Sequence, residues 1–307
     1  MSQMTDFTLP SCVPGRTLHA FRCVPEGEVR AILQLSHGMV EFIDRYKPLA
    51  EYLAARGILV TGHDHLGHGG SIRTKADYGY FAQPDGNRAV LDDLHAVTAL
   101  TKQLYPGVPY FLLGHSMGSF LLRTYLYTYP DAVDKAVISG TGWEDPTKVR
   151  LGKLVCKLEQ ARVGETSTSK LVTKLMFGSY NKPFGAVTSP NAWICSDEAV
   201  VAAYDADPLC GFDATVGLAR DLLTGVEMNE QPENLDKMNK QLPLLFVSGS
   251  KDPVGGMAKG VLRCIDAFKR SGMKDITIKL YPEGRHEMLN ERNKAEVYQD
   301  ILDWLER

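Results

Sequence analysis

Residues 110–118 read Tyr-Phe-Leu-Leu-Gly-His-Ser-Met-Gly. The first four are apolar and typical of a buried strand, and a helical pattern begins at Met117. Between them stands G-x-S-x-G, the pattern of a strand–turn–helix in which a sharp turn exposes a nucleophilic serine at the end of a sheet. We therefore predict that Ser116 is a nucleophile. The alternative interpretation is a serine in an ordinary tight turn.

Short β-branched segments alternate with longer helical patterns on both sides of this run. Strands are predicted at 16–25, 29–36, 57–62, 109–114, 135–139, 242–248 and 275–281, and helices at 45–56, 89–104, 117–129, 256–271 and 289–306. Such alternation is typical of a mostly parallel sheet with helices packed on both faces. The sequence therefore predicts an α/β fold.

The alternation is interrupted once, between residues 143 and 228, where helical patterns and turns occur without a clear strand. We predict an α/β core formed by residues 1–142 and 229–307, and a helical lid (cap) formed by residues 143–228. A separate interaction domain is the alternative interpretation of the same block.

The predicted lid is uneven in charge. Residues 148–182 carry eight basic and two acidic side chains, whereas residues 187–237 carry ten acidic and two basic ones. The two halves could face each other or solvent. In a second interpretation, the basic half makes transient contact with an anionic lipid surface, because leucines and valines lie beside its lysines.

Composition narrows the function classes. Of 307 residues, 44% are apolar and 23% charged, and the formal net charge of −3 gives no reason to expect a nucleic-acid partner. The six cysteines have no metal-ligand spacing and are expected to be mostly buried, reduced thiols. Neither a secretory signal nor a run of about 20 apolar residues occurs, so we expect a cytoplasmic protein.

A serine nucleophile needs a general base, and the base needs an orienting acid. In the G-x-S-x-G context these partners follow in the order acid, then histidine, on loops after later strands. Asp252 follows the strand 242–248, and His286 follows the strand 275–281. We therefore predict a catalytic triad of Ser116, Asp252 and His286.

Acyl transfer also needs donors for the negative charge that develops on the carbonyl oxygen. One is expected to be the backbone N–H of Met117, the residue after the nucleophile. The other should come from the loop after the strand 29–36, where Gly38 allows a sharp turn. We predict the backbone N–H of Met39 as this second donor.

A competing chemistry is metal binding, because one short segment concentrates potential ligands, namely His63, Asp64, His65 and His68. The glycines that follow favour a turn-rich loop instead. We predict neither a metal nor a cofactor.

Five motifs together resemble one family. They are His37-Gly38-x-x-Glu41 with Arg45-Tyr46, Asp64-x-x-Gly67-His68-Gly69-x-Ser71, Gly114-His115-Ser116-Met117-Gly118, Ser250-x-Asp252, and Arg285-His286-Glu287-x-Leu289-Asn290-Glu291. With them the chain resembles the monoacylglycerol lipase and lysophospholipase branch of the α/β-hydrolases, grouped with the serine aminopeptidases. The resemblance implies the α/β-hydrolase fold, the triad and oxyanion donors named above, and a structural role for the loop 64–71. The predicted lid differs from that of the mammalian monoacylglycerol enzyme.

We therefore expect a serine carboxylic ester hydrolase that acts through an acyl-enzyme on monoacylglycerol, lysophospholipid or similar small-molecule acyl esters. Four aromatic side chains could line a trough for the acyl chain or, alternatively, form the core of the lid: Trp143, Phe177, Phe184 and Trp193. One alternative function is a serine aminopeptidase of the proline iminopeptidase kind, in which Glu41 and the acidic half of the lid would bind the substrate ammonium. Another is a non-catalytic binding protein on the same fold. The sequence does not indicate an oligomeric state.

Overall fold

A computed structural model describes residues 2–307. Its centre is an eight-stranded sheet with the strand order β1-β2-β4-β3-β5-β6-β7-β8. The strands are β1 (Gln3–Pro10), β2 (Thr17–Val24), β3 (Ala31–Ser36), β4 (Ile58–His63), β5 (Tyr110–His115), β6 (Lys135–Ser139), β7 (Leu244–Gly249) and β8 (Ile276–Tyr281). All neighbouring pairs from β4 to β8 are parallel, while β1–β2 and β2–β4 are antiparallel.

Ten α-helices accompany the sheet. They are α1 (Lys47–Ala54), α2 (Gly86–Leu104), α3 (Met117–Thr128), α4 (Pro146–Val163), α5 (Lys170–Phe177), α6 (Glu198–Ala206), α7 (Val216–Asn229), α8 (Pro232–Asp236), α9 (Lys259–Arg270) and α10 (Lys294–Leu305). Short 3₁₀ turns lie at Ile43–Tyr46, Gly69–Ser71, Lys75–Asp77, Lys182–Phe184 and Ala192–Ile194. None of the helices in residues 2–307 combines the length and apolar character needed to span a bilayer.

The central strands are buried on both faces, and alternate side chains enter two separate apolar layers. Leu33 and its sheet neighbours pack against α1 and α10. Ile32, one residue earlier, packs with α2, α3 and α9 on the opposite face. Because helices cover both faces of the sheet, the central strands have continuous apolar sequences. This arrangement confirms the predicted α/β class.

The predicted strands and helices are confirmed, with ends shifted by a few residues, except at the two termini. The strand β1 was missed because it is an edge strand with mostly exposed side chains, so it carries no strong apolar signal. The last helix begins at Lys294 instead of residue 289, since residues 289–293 form turns. All six cysteines are free thiols, and only Cys12 is exposed.

The helices α4–α7 lie between β6 and β7, in the block where the alternation stops. In residues 143–228 the structure forms no strand, only an isolated bridge between Thr168 and Thr215. The end of α7 is tied to α3, because Asn229 Nδ2 donates to the Phe120 carbonyl at 2.9 Å and its Oδ1 accepts from Thr124 at 3.0 Å. The inserted helices are therefore anchored on the helix that follows Ser116.

The turn between β5 and α3 is unusually tight. Ser116 has φ 54° and ψ −121°, a conformation that costs energy for a residue with a side chain. A Cβ atom at Gly114 would lie 2.2 Å from the Gly118 carbonyl oxygen, and one at Gly118 would lie 2.0 Å from that of Ser36. Glycine is required at both positions because backbone approaches backbone there.

We predict that Gly118→Ala destabilises the fold strongly, by about 3 kcal/mol or more, because the methyl group would push α3 away from β3. Thermal or urea unfolding measures the effect. The control is Gly107→Ala, which also places alanine at a glycine position but has positive φ and no atom near the new Cβ; it should cost only about 1 kcal/mol. Equal losses in the two variants would contradict the packing argument.

Candidate active site

Three predicted site residues lie in loops at the carboxyl edge of the sheet, where open α/β sheets bind ligands. Ser116 follows β5, Asp252 follows β7 and His286 follows β8. Asp252 and His286 are buried, whereas Ser116 is partly exposed to a cavity. The fold thus brings together residues that are 34 to 170 positions apart in the chain.

Asp252 and His286 form a buried acid–imidazole pair. His286 Nδ1 lies 3.0 Å from both Asp252 carboxylate oxygens, and Asp252 Oδ1 also accepts from the Val254 N–H at 2.8 Å. Because an ionised carboxylate only accepts, Nδ1 carries the proton in this pair. The other nitrogen, Nε2, is buried and has no hydrogen-bond partner in residues 2–307. It is therefore available to accept a proton.

Opposing effects set the pKa of His286. Burial disfavours the imidazolium and lowers the pKa, but the charge and hydrogen bond of Asp252, helped by Glu287 and Glu41, raise it by more. The net result is a pKa above the ordinary value. His115 packs beside His286 with its ring centroid 4.7 Å away, and its Nδ1 faces Ser139 Oγ at 3.2 Å. His115 is thus a packing neighbour of His286.

The two predicted oxyanion donors lie on either side of Ser116. Met117 is the first residue of α3, where backbone N–H groups have no intrahelical acceptor. Met39 lies in the loop after β3, and a Cβ atom at the preceding Gly38 would lie 3.1 Å from Ser116 Cβ. Met39, Met117 and Ser116 line one cavity. The two predicted donors thus lie beside Ser116, and the binding of an oxyanion by their amides stays a prediction.

The loop after β3 is joined to the His286 loop by a buried charge cluster that the sequence analysis did not identify. Arg45 binds Glu287 through two hydrogen bonds, of 2.7 and 2.6 Å, and also contacts Glu41. Glu41 in turn accepts from the Gly38 N–H at 2.6 Å and from the Tyr46 hydroxyl at 2.8 Å. Burial raises the pKa of Glu41, whereas Arg45 holds that of Glu287 below its usual range. In the sequence, this charge cluster was indicated by the spacing of Glu41 and Arg45 within one motif.

Two cavities meet at Ser116. One, of about 450 Å³, is mainly apolar and is bounded by α3, α4, α5 and α7, with Phe120, Val149 and Val226 among its lining residues. The other, of about 480 Å³, is more polar and contains Glu41, His286 and Glu287 together with side chains of the inserted helices. A substrate with one apolar and one polar end could therefore place its central bond at Ser116.

Two of the four predicted lining residues reach these cavities. Phe177 and Trp193 line both, and the Trp193 ring lies 5.0 Å from that of His286. The prediction was wrong for Trp143, which packs on the core beneath the guanidinium of Arg123. Phe184 also lies outside both cavities: it packs against the cluster around Trp193, as the alternative of a lid core predicts, and the Arg285 guanidinium lies 4.2 Å from its ring centroid. Both are held by a neighbouring arginine that no sequence periodicity reveals.

The segment from His63 to His68 forms a buried loop. Asp64 accepts from the N–H groups of Ile43 and Gly70, at 2.7 and 2.8 Å, and pairs with His19 at 2.9 Å. Burial lowers the pKa of His63, His65 and His68, so these imidazoles are neutral. In residues 2–307, the ligand atoms that converge closely enough for one ion belong to Asp6, His19 and Asp44, not to this histidine loop.

The sheet order, the strained serine turn and the acid–histidine pair define an α/β-hydrolase. The chain belongs to the family described as "Serine aminopeptidase, S33", whose model matches residues 27–293.

Relatives narrow this family to its monoacylglycerol lipase branch. The chain is 27% identical over 288 residues to a monoacylglycerol lipase of Mycolicibacterium smegmatis, an alignment that covers 92% of this chain and 90% of that protein. It is 31% identical over 289 residues to the monoglyceride lipase of Mus musculus, covering 91% and 82%.

Solved structures agree with this assignment. A thermostable carboxyl esterase from Bacillus coagulans, crystallised with glycerol, has a TM-score of 0.92 and 25% identity, covering 100% of this chain and 99% of that one. A monoglyceride lipase from Saccharomyces cerevisiae shares the fold with a TM-score of 0.75 and 21% identity, covering 99% and 94%. The enzyme class that these relatives share is that of hydrolases acting on esters, and this chain is a member of it.

We predict that Asp252→Asn lowers the pKa of His286 relative to the wild type, because burial is then opposed only by the more distant charges of Glu287 and Glu41. An NMR titration of the imidazole nitrogens measures the shift. Asp266→Asn, on the exposed side of α9, is the control and should leave the titration unchanged. An unaltered His286 titration in Asp252→Asn would contradict the assigned cause.

Proposed function

We propose that this hydrolase cleaves monoacylglycerol, lysophospholipid or a similar acyl ester through a covalent acyl-enzyme on Ser116. The observation that carries the proposal is the buried His286–Asp252 pair, which leaves Nε2 unpartnered in a cavity that also contains Ser116. Asp252 orients His286, and His286 is the general base.

The geometry supports the following sequence. His286 Nε2 takes the proton of the Ser116 hydroxyl while Oγ attacks the ester carbonyl carbon. The oxygen of the tetrahedral intermediate becomes negative and accepts hydrogen bonds from the N–H groups of Met39 and Met117. The intermediate then collapses: the ester C–O bond breaks, the imidazolium protonates the departing alcohol and the acyl group stays on Ser116. Water repeats the same two steps and releases the carboxylic acid.

The two cavities support a substrate with an acyl chain and a polar alcohol. The apolar cavity suits the chain, since Phe120, Val149 and Val226 offer no hydrogen-bonding side chain. The more polar cavity suits the alcohol, because it contains Glu41, Glu287 and several side chains with amide or hydroxyl groups. The relatives named monoacylglycerol lipase and carboxyl esterase support the same class of substrate.

The peptidase alternative requires a free carboxylate for the substrate ammonium. Glu41, the residue expected to supply it, already accepts from Gly38 N–H and Tyr46 and contacts Arg45. Glu287 is held by the same guanidinium. Asp213, an acid of the lid that lines the same cavity, accepts from the Thr173 hydroxyl at 3.2 Å. All three acids of this cavity thus have partners, which favours the ester-hydrolase proposal.

We further propose that residues 143–228 act as a lid and that its basic half meets an anionic lipid surface. Leucines on α4 and α5 are about half exposed or more: Leu151 61%, Leu154 52%, Leu158 62%, Leu171 49% and Leu175 59%. Two of them, Leu151 and Leu175, also line the apolar cavity, so this leucine surface adjoins the cavity. Exposed lysines stand among them, at positions 148, 157, 170 and 174. Apolar side chains in a basic surround match the chemistry of an anionic membrane.

We predict that Ser116→Ala, Asp252→Ala and His286→Ala each lower kcat on p-nitrophenyl esters by several orders of magnitude. Assays with monoacylglycerol, lysophospholipid and a prolyl arylamide then rank the substrate classes. Ser271→Ala, at the end of α9, is the control and should keep full activity. An active Ser116→Ala enzyme would refute the acyl-enzyme on Ser116, and a preference for the arylamide would favour the peptidase.

We predict that Leu154→Asn/Leu158→Asn weakens binding to vesicles containing phosphatidylglycerol while leaving hydrolysis of a water-soluble ester unchanged, because neither leucine lines a cavity. Vesicle sedimentation measures the binding. The matched control is Leu104→Asn/Leu262→Asn, which removes two leucines of similar exposure, 50% and 47%, on α2 and α9. Equal binding by both double variants would count against the lid surface.

A further inference from the structure

The peptide bond between Gly38 and Met39 is held by a buried histidine. His37 Nδ1 lies 2.7 Å from the Gly38 carbonyl oxygen, and His37 Nε2 accepts from the backbone N–H of His65 at 2.9 Å. A backbone N–H can only donate, so Nε2 is the unprotonated nitrogen and Nδ1 carries the proton. The ring therefore donates to the Gly38 carbonyl.

The protonation state of His37 is constant at physiological pH. Burial, with the neighbouring His68, lowers the pKa of His37 to about 3, despite the nearby carboxylate of Asp64. The ring is neutral, and the His65 N–H keeps it in one tautomer. His37 lies outside both cavities, so it does not contact a substrate bound there.

The Gly38 carbonyl and the Met39 N–H belong to the same planar peptide unit. A donor fixed on the carbonyl restricts rotation of that plane and polarises the N–H at its other end, as in any chain of hydrogen bonds. The preceding amide, that of Gly38, is already bound to Glu41 Oε1. The plane is thus held at its carbonyl and at the neighbouring N–H, and Met39 itself lines the cavity that contains Ser116.

We propose that His37 is a positioning residue for ester hydrolysis: by donating Nδ1–H to the Gly38 carbonyl, it aims and strengthens the Met39 N–H as an oxyanion donor. This inference rests on the proposed function, because it takes Met39 as a donor to the developing negative charge. It goes further in assigning catalytic consequences to a side chain that never touches the substrate.

Two isosteric substitutions separate this role from simple packing. The amide of His37→Asn can occupy the place of Nδ1 and still donate to the Gly38 carbonyl, but it leaves the His65 N–H unpartnered. The longer amide of His37→Gln can occupy the place of Nε2 and accept from His65, but it leaves the Gly38 carbonyl unpartnered. Each variant buries one unsatisfied backbone group, so both should lose similar stability.

We expect His37→Gln to lower kcat on p-nitrophenyl esters by about 10- to 100-fold with little change in KM, because loss of a whole oxyanion donor costs about 10²- to 10³-fold. His37→Asn should stay within about 3-fold of the wild type. Thermal unfolding of both variants shows whether their stability is matched. Equal losses of kcat in the two variants, or losses that follow unfolding temperature, would overturn the proposal.

A spectroscopic readout keeps this result independent of the nucleophile assignment. The chain contains three Gly–Met peptides, at 38–39, 256–257 and 272–273, so ¹³C-carbonyl glycine with ¹⁵N methionine yields three resolvable NMR correlations. The Met39 ¹⁵N shift should move in His37→Gln and stay near its wild-type position in His37→Asn. A Met39 shift that moves equally in both variants would refute the polarised peptide, whereas an active Ser116→Ala enzyme would refute only the proposed function.

Discussion

The first turn of α3 touches the end of β3 at Gly118, where a Cβ atom would lie 2.0 Å from the Ser36 carbonyl oxygen. This contact lets the helix begin directly above the sheet, which in turn forces Ser116 into a positive φ. The same approach brings the loop after β3 alongside the serine. Met39 and Met117, the first residue of α3, thereby line the same cavity. The strained turn and the placement of both residues beside Ser116 thus follow from one close backbone contact.

Around this contact the site is built from buried charges, which are costly unless they are paired. Asp252 is satisfied by His286 and by the Val254 N–H. Arg45 is shared between two carboxylates, those of Glu41 and Glu287. Both acids add to Asp252 in raising the pKa of His286. In the proposed acyl transfer, the fold therefore stabilises the protonated ring of His286 from two directions.

Much of this arrangement was predictable, because strand ends and short motifs are local properties of a chain. Ser116, Asp252 and His286 were found from the strands that precede them, and the parallel sheet then brings the three loops to one edge. Two kinds of feature were not predictable. Which aromatic residues line the cavities depended on tertiary contacts: Trp143 packs against Arg123 and Phe184 against Arg285, outside both cavities. The edge strand β1 lacked a buried face, so its pattern resembled that of a loop.

The core and the inserted helices contribute different parts of the candidate site. Ser116, Asp252 and His286 lie in core loops, whereas most of the apolar cavity comes from α4, α5 and α7. Under the proposed function, the insertion can therefore vary the acyl selectivity without moving Ser116. The inserted segment is not fully independent of the core loops near Trp193. The Trp193 ring packs 5.0 Å from that of His286, and the Glu287 N–H donates to the carbonyl of the next residue, Ile194, at 2.7 Å. A change around Trp193 would alter both the shape of the cavities and the position of His286, so the proposed specificity and proton transfer are physically coupled at this residue.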